Sequence, residues 1–334
     1  MKKLTSKVFS AAATLVFTLC GSCVDAAGFQ HGSAADPDGK PLHIGIWYPS
    51  DATTRPLSLG PTTMSVAVDG TAQGKALPLV VMSHGTGGSF LGHFDTAIAL
   101  ADAGFVVVAV THRGDNHADQ SRSMDVIDRP RQISRVIDHM LSTWPSHATI
   151  DPARIGMFGF SAGGFTTLVS IGGIPDFSTV GPMCRQYPGD FACQLIARSG
   201  SHIAAPVTAP AARAADARIK AAVVAAPALG FTFSPEGLRN VKVPVQLWRA
   251  ESDVVLPHPR YAEAVRLALP EPPDYHVVPQ AGHFDFLVPC SSALASVAPA
   301  ICTSAVGFDR AAFHATFDAA VVRFFNKTLA GSRI

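Results

Sequence analysis

Charge is scarce in this chain. Only 15 % of its 334 residues are Asp, Glu, Lys or Arg, and 26 basic residues nearly cancel 25 acidic ones. A typical globular chain carries about 25 %. The near-neutral balance excludes the strongly basic surface that would hold nucleic acid or an anionic membrane. No apolar run reaches the roughly 20 residues that span a bilayer, so no stable membrane span is expected. No repeat is visible. The glycine-rich stretch Gly85–Gly88 is not followed by Gly-Lys-Ser/Thr, which argues against a phosphate cradle. Thirteen histidines include no His-x-His or His-x-x-x-His pair, and no metal or other cofactor is expected. What the chain has is apolar content, 48 %, enough for one large, well-buried α/β domain.

The start reads as an export signal. Lys2, Lys3 and Lys7 precede an apolar core, Val8 to Leu19, and small residues around Ala26 suit cleavage before Ala27. Residues 1–26 are then a signal peptide and 27–334 the mature domain, periplasmic or extracellular. Lipidation at Cys23 is the alternative, although Cys20 stands where such a signal wants leucine. Removing the signal takes away three lysines and one aspartate, so the formal charge of +1 becomes −1. Four cysteines remain with no Cys-x-x-Cys among them, which excludes a zinc ribbon or redox motif. An even number suits disulfides in an oxidising compartment. Three pairings are open; Cys184–Cys193 and Cys290–Cys302 are favoured because each staples a local loop.

Apolar runs at His43–Tyr48, Leu79–Ser83, Phe105–Thr111, Arg154–Phe160, Ile219–Ala225, Val243–Arg249 and Tyr275–Val278 read as strands. Helix-compatible segments alternate with them: His93–Ala103, Arg131–Thr143, Ser161–Ile171 and Arg260–Leu269. Asp309–Leu329 carries a Phe stripe at helical spacing, with Asp309 as N-cap. Alternation implies a mostly parallel sheet with helices on both faces. Residues 174–217, rich in Pro, Ala, Gly and Ser, interrupt the pattern. A connection this long reads as a small lid or as an inert surface excursion, the lid being favoured.

Gly159-Phe160-Ser161-Ala162-Gly163 lies between the strand Arg154–Phe160 and a helix. A serine at such a turn is held up as an exposed nucleophile. It needs a base to take its proton and an acid to orient that base. Past the strand Val243–Arg249 stand Glu251 and Asp253; Asp253 is the favoured acid and Glu251 the lesser candidate. Past the last strand stands His283, the base; His258, five residues beyond Asp253 and just before a proline, is a poor rival. Oxyanion donors are expected from the N–H groups of Ala162 and of Thr86 in the loop Ser83–Gly88. His84, Gly85, His112 and Phe160 are the candidate substrate contacts. The segment His112–His117 could also brace the oxyanion loop or be a surface turn with its own Arg–Asp pair.

These residues resemble the α/β-hydrolase superfamily. From about His43 to Phe325 the chain is similar to predicted dienelactone hydrolases related to the platelet-activating-factor acetylhydrolases. The likeness rests on His43–Ser50, Ser83–Gly88, Thr111–Asp115, Asp128-Arg129-Pro130, Gly159–Gly164 and Gly282-His283-Phe284-Asp285-Phe286. It implies a Ser161–Asp253–His283 triad and hydrolysis of short or oxidised acyl esters. Two features depart from it. Dienelactone hydrolases use a cysteine where this chain has Ser161, and acetylhydrolases usually carry histidine where it has Phe160. The expectation is a secreted serine esterase, a monomer or homodimer acting on a small-molecule or lipid ester. The rivals are an amidase or peptidase of the same fold and a non-catalytic binding protein.

Overall fold

The computed structural model describes residues 26–199 and 214–330. The export signal and Cys23 lie outside the described residues, apart from Ala26, which opens the first strand. Ten strands form one sheet in the order β10-β9-β8-β7-β5-β6-β2-β1-β4-β3. Its central part is parallel: β5 (Leu77–Ser83), β6 (Val106–Thr111), β7 (Ile150–Phe160), β8 (Ile219–Ala225), β9 (Val245–Ala250) and β10 (Asp274–Val278). All seven expected strands are present, within a few residues at their ends. β2 (Leu42–Ser50) runs antiparallel to β6.

Three strands were not foreseen: β1 (Ala26–Ala34), β3 (Arg55–Leu59) and β4 (Thr62–Val68). Their burial patterns are mixed, and β3 is half solvent-facing, so none stands out as an apolar run. What recruits them is the sheet edge left by β2, which β1 covers antiparallel over nine residue pairs.

Because successive strand residues point to opposite faces, each strand feeds two cores. Leu79 and Val81 enter one core, Val80 and Met82 the other. The first core is covered by α2 (Asp128–Ser142) and α3 (Ala162–Ser170). The second is covered by α1 (Phe94–Asp102) and by α10 (Arg310–Thr328), whose Phe313, Phe317, Phe324 and Phe325 form the foreseen stripe. The Asp309 carboxylate accepts the Ala312 N–H at 2.9 Å, capping α10 as expected.

Within 174–217, α4 (Val180–Gln186) and α5 (Phe191–Ser199) are joined by the disulfide Cys184–Cys193. Cys290–Cys302 closes the loop after the last strand. Both local pairings are therefore formed. No helix of the described residues is long and apolar enough to cross a membrane.

Candidate active site

β7 ends at Phe160 and α3 begins at Ala162, so Ser161 alone makes the turn, at φ 56° and ψ −118°. A serine there is strained, and the surroundings hold it in place. Its N–H donates to Ala225 O at 2.9 Å, and its carbonyl accepts the Ala228 N–H at 2.9 Å. Gly163 makes the turn possible, since a Cβ at that position would lie 1.9 Å from Ser83 O. The turn can therefore press directly against the end of β5.

The structure brings Ser161, His283 and Asp253 together from three separate strand ends. Ser161 Oγ lies 3.0 Å from His283 Nε2, and His283 Nδ1 lies 2.7 Å from Asp253 Oδ2. Asp253 Oδ1 accepts the N–H groups of Val255 at 2.9 Å and Leu256 at 2.7 Å, which fixes the carboxylate. A carboxylate only accepts, so Nδ1 donates and Nε2 is left to receive the serine proton. Glu251 points elsewhere, accepting the Gln280 N–H at 3.0 Å. The turn that carries His283 is pinned by Asp285. One oxygen of that carboxylate accepts the Gly282 N–H at 2.7 Å, and the other accepts Arg310 Nε at 3.0 Å.

Ala162 is the first residue of α3, so its N–H has no intrahelical acceptor. The Thr86 N–H donates to no backbone or side-chain acceptor among the described residues. Both residues line a cavity with Ser161. Gly85 is the close-approach point of this loop: a Cβ there would lie 3.1 Å from the Ser161 Cβ.

Two of the four expected substrate contacts serve instead to hold this loop. The His84 ring is buried, donating from Nδ1 to Gly85 O at 2.6 Å and accepting the His112 N–H at Nε2, 3.0 Å. His112 is fully buried, with Nδ1 on Gln132 Oε1 at 3.0 Å and Nε2 on Ser83 Oγ at 2.8 Å. With both ring nitrogens engaged, His112 has no atom left for a substrate. Phe160 and Gly85 do line the groove beside Ser161, where the edge of His84 also shows.

Sequence reasoning missed the main brace. Arg129, 2 % exposed, donates to His84 O at 2.8 Å and pairs with Asp115 at 3.0 Å. Asp115 in turn accepts the Gly87 N–H at 2.9 Å. Asp115 therefore pairs with Arg129 rather than with its neighbour Arg113, which bonds Asp36 at 2.7 Å. The only sequence signal was the Asp128-Arg129-Pro130 motif, which says nothing of its partner.

Burial, and next the Arg129 charge, push both His84 and His112 well below their ordinary 6.5. Both are neutral in the fold and titrate normally when unfolded. Their contribution is thus complete above about pH 6.5 and is lost as pH falls below it. As pH falls from about 6.5 to 5, stability should drop with a slope that approaches about 1.4 kcal/mol per unit for each ring. Urea midpoints measured across that range check this; a flat profile contradicts the neutral burial of the pair.

Ser161 opens on two spaces. One is an apolar cavity walled by Met124, Val126, Phe165, Phe191, Leu195 and Leu256. Its volume is about 50 Å³. The other is a groove of about 230 Å³ beside His283, bordered by Gln120, Phe284, Leu287 and Ile301. Phe191 on α5, 43 % exposed, borders both.

The dienelactone hydrolase family matches residues 66–224, the stretch holding the elbow, the Ser83–Gly88 loop and Arg129. Among solved structures, a ferulic acid esterase from Streptomyces cinnamoneus superposes with a TM-score of 0.61 at 21 % identity. The superposition covers 93 % of this chain and 92 % of that one. No curated protein matches the chain. These findings bear out the resemblance read from the motifs: the fold is that of the α/β-hydrolases, with a family match to the dienelactone hydrolases.

Proposed function

We propose that this α/β-hydrolase is an exported serine carboxylesterase that takes esters of a short acyl group and a larger alcohol. The observation that carries the reading is the continuous chain Asp253–His283–Ser161, with two uncommitted N–H groups beside the serine. His283 Nε2 removes the Ser161 proton as Oγ attacks the ester carbonyl. The developing oxyanion is met by the N–H groups of Ala162 and Thr86. The tetrahedral species collapses as His283 returns its proton to the leaving alkoxide, and water then repeats the sequence on the acyl-serine.

Proton return orients the substrate. The alcohol must lie on the His283 side, in the groove, and the acyl group in the apolar cavity, which His283 does not line. The cavity's size favours short chains, and a feruloyl group, which the structural neighbour's name implies for that enzyme, exceeds it as it stands. Helix α5 then acts as a lid stapled by Cys184–Cys193. Two disulfides and the signal-like start support export to the periplasm or beyond. Rates on p-nitrophenyl esters from acetate to palmitate, with methyl ferulate alongside, test the reading. Turnover should peak at acetate to butyrate; a maximum at palmitate or on the ferulate would refute the short-acyl assignment. Fluorophosphonate labelling at Ser161 separates an enzyme from a binding protein.

A further inference from the structure

Behind the His283 turn, α1 and α10 cross with polar side chains facing one another. Asp95 comes from α1; His314 and Asp318, four residues apart, lie on one face of α10. One ligand-type atom from each lies within 4.8 Å of the other two. His314 is 3 % exposed. Its Nε2 lies 2.9 Å from the main-chain carbonyl of Asp285. A carbonyl only accepts, so Nε2 carries the proton and donates. The neutral ring then turns the lone pair of Nδ1 towards a carboxylate, with Asp95 Oδ2 only 2.6 Å away. Two lone pairs cannot meet at that distance without a cation between them.

A single proton on His314 leaves an imidazolium and two carboxylates at −1, and no lysine or arginine among the described residues pairs with either acid. The metal-free route to zero is a second proton on Asp318, whose carboxyl is pushed up to about 7 by burial and next by the Asp95 charge. The remaining partners are neutral: Asp95 Oδ1 accepts the Thr96 N–H at 2.9 Å, and Asp318 Oδ1 accepts the Thr96 hydroxyl at 2.6 Å. A divalent ion bound by neutral His314 and both carboxylates brings the sum to zero. An imidazole held through its other nitrogen by a backbone carbonyl is also the usual arrangement of a metal-ligating histidine.

We propose that Asp95, His314 and Asp318 form a site for one divalent transition-metal ion, Zn²⁺ being the best match to one nitrogen and two oxygens. Ligand atoms each about 2.0 Å from zinc stand about 3.3 Å apart in a tetrahedron. The 2.6 Å contact therefore opens by less than about 1 Å on binding. Asp95 is 20 % exposed, so a water can complete the shell. The absence of His-x-His and His-x-x-x-His pairs does not bear on this mixed His-x-x-x-Asp spacing. Through Asp285 the ion would stiffen the turn that carries His283.

The test is titration of untagged, chelator-dialysed protein with Zn²⁺ against a chromophoric chelator, together with Co²⁺ absorption spectra. One equivalent should bind, raising Tm. Asp318→Asn keeps an acceptor for Thr96 and should lower the affinity at least about tenfold. No saturable binding of either ion would leave a shared proton as the cation and overturn the proposal, as would unchanged affinity in both Asp95→Asn and Asp318→Asn. Should the variants fail to fold, wild-type NMR still decides. Co²⁺ must broaden the His314 ring signals first, and broadening led by other histidines overturns the site.

Discussion

Ser161→Ala should lower kcat on the preferred p-nitrophenyl ester by about 10⁴- to 10⁶-fold while leaving the unfolding free energy in urea within about 0.5 kcal/mol of wild type. The hydroxyl is the only atom group lost, and it is the one that would form the covalent bond. The rest of the turn is held by backbone bonds to Ala225 and Ala228, which alanine retains. Residual rate over water should survive, because the two N–H groups still polarise the carbonyl. His283→Ala should be about as damaging, since an unactivated serine is a weak nucleophile, and Asp253→Asn somewhat less so. A Ser161→Ala variant that keeps more than about a tenth of wild-type kcat sinks the mechanism, because no loss that small fits removal of a nucleophile.

The second large effect belongs to a residue that touches no substrate. Arg129→Met should cost about 3–5 kcal/mol in chemical denaturation. The side chain is buried, and burial pushes its guanidinium down while Asp115 opposes that shift. Removing it leaves the Asp115 carboxylate buried without a counter-charge and the His84 carbonyl without its donor. The damage falls on the loop that carries Thr86, because Asp115 also holds the Gly87 N–H. The variant should therefore lose kcat on the ester more than it changes KM, as a displaced oxyanion donor acts in the transition state. Asp115→Asn keeps an acceptor for Gly87 and tests the charge separately. In the double variant the two losses should be clearly less than additive. A loss below about 1 kcal/mol for Arg129→Met would show that the pair does little for the fold.

Much of the site could be read from local pattern, because its positions are set by chain direction. Ser161 follows an apolar strand and precedes a helix; Asp253 and His283 each follow a strand. In a parallel sheet every such end lies on the same edge, so sequence order alone converges three distant residues. The strand-end rule by itself leaves both Asp253 and Glu251 within reach of the catalytic edge. The sequence favoured Asp253 over Glu251, and where their oxygens point agrees, one to His283 and the other to Gln280.

His84 and His112 show where the pattern stops. Both follow strands at the catalytic edge, as a substrate contact would, yet both face inward and support the loop from below. Nothing local distinguishes a histidine that meets the ligand from one that meets a carbonyl. Arg129, on α2 between its motif neighbours Asp128 and Pro130, found its partner Asp115 through helix packing.

The chain's order of apolar runs and its glycines at Ser161 determined the seven central strands and the elbow, and its cysteine spacing favoured the two local disulfides. Each of these is a short-range property, carried by neighbouring residues. Tertiary structure alone decided which polar groups are buried against which: the Arg129–Asp115 brace, the neutral histidine pair, the division of cavity from groove, and the Asp95–His314–Asp318 cluster. Such pairings join residues 14 to more than 200 positions apart, and the cost of burying a charge or lone pair unmatched, rather than any local propensity, selects them.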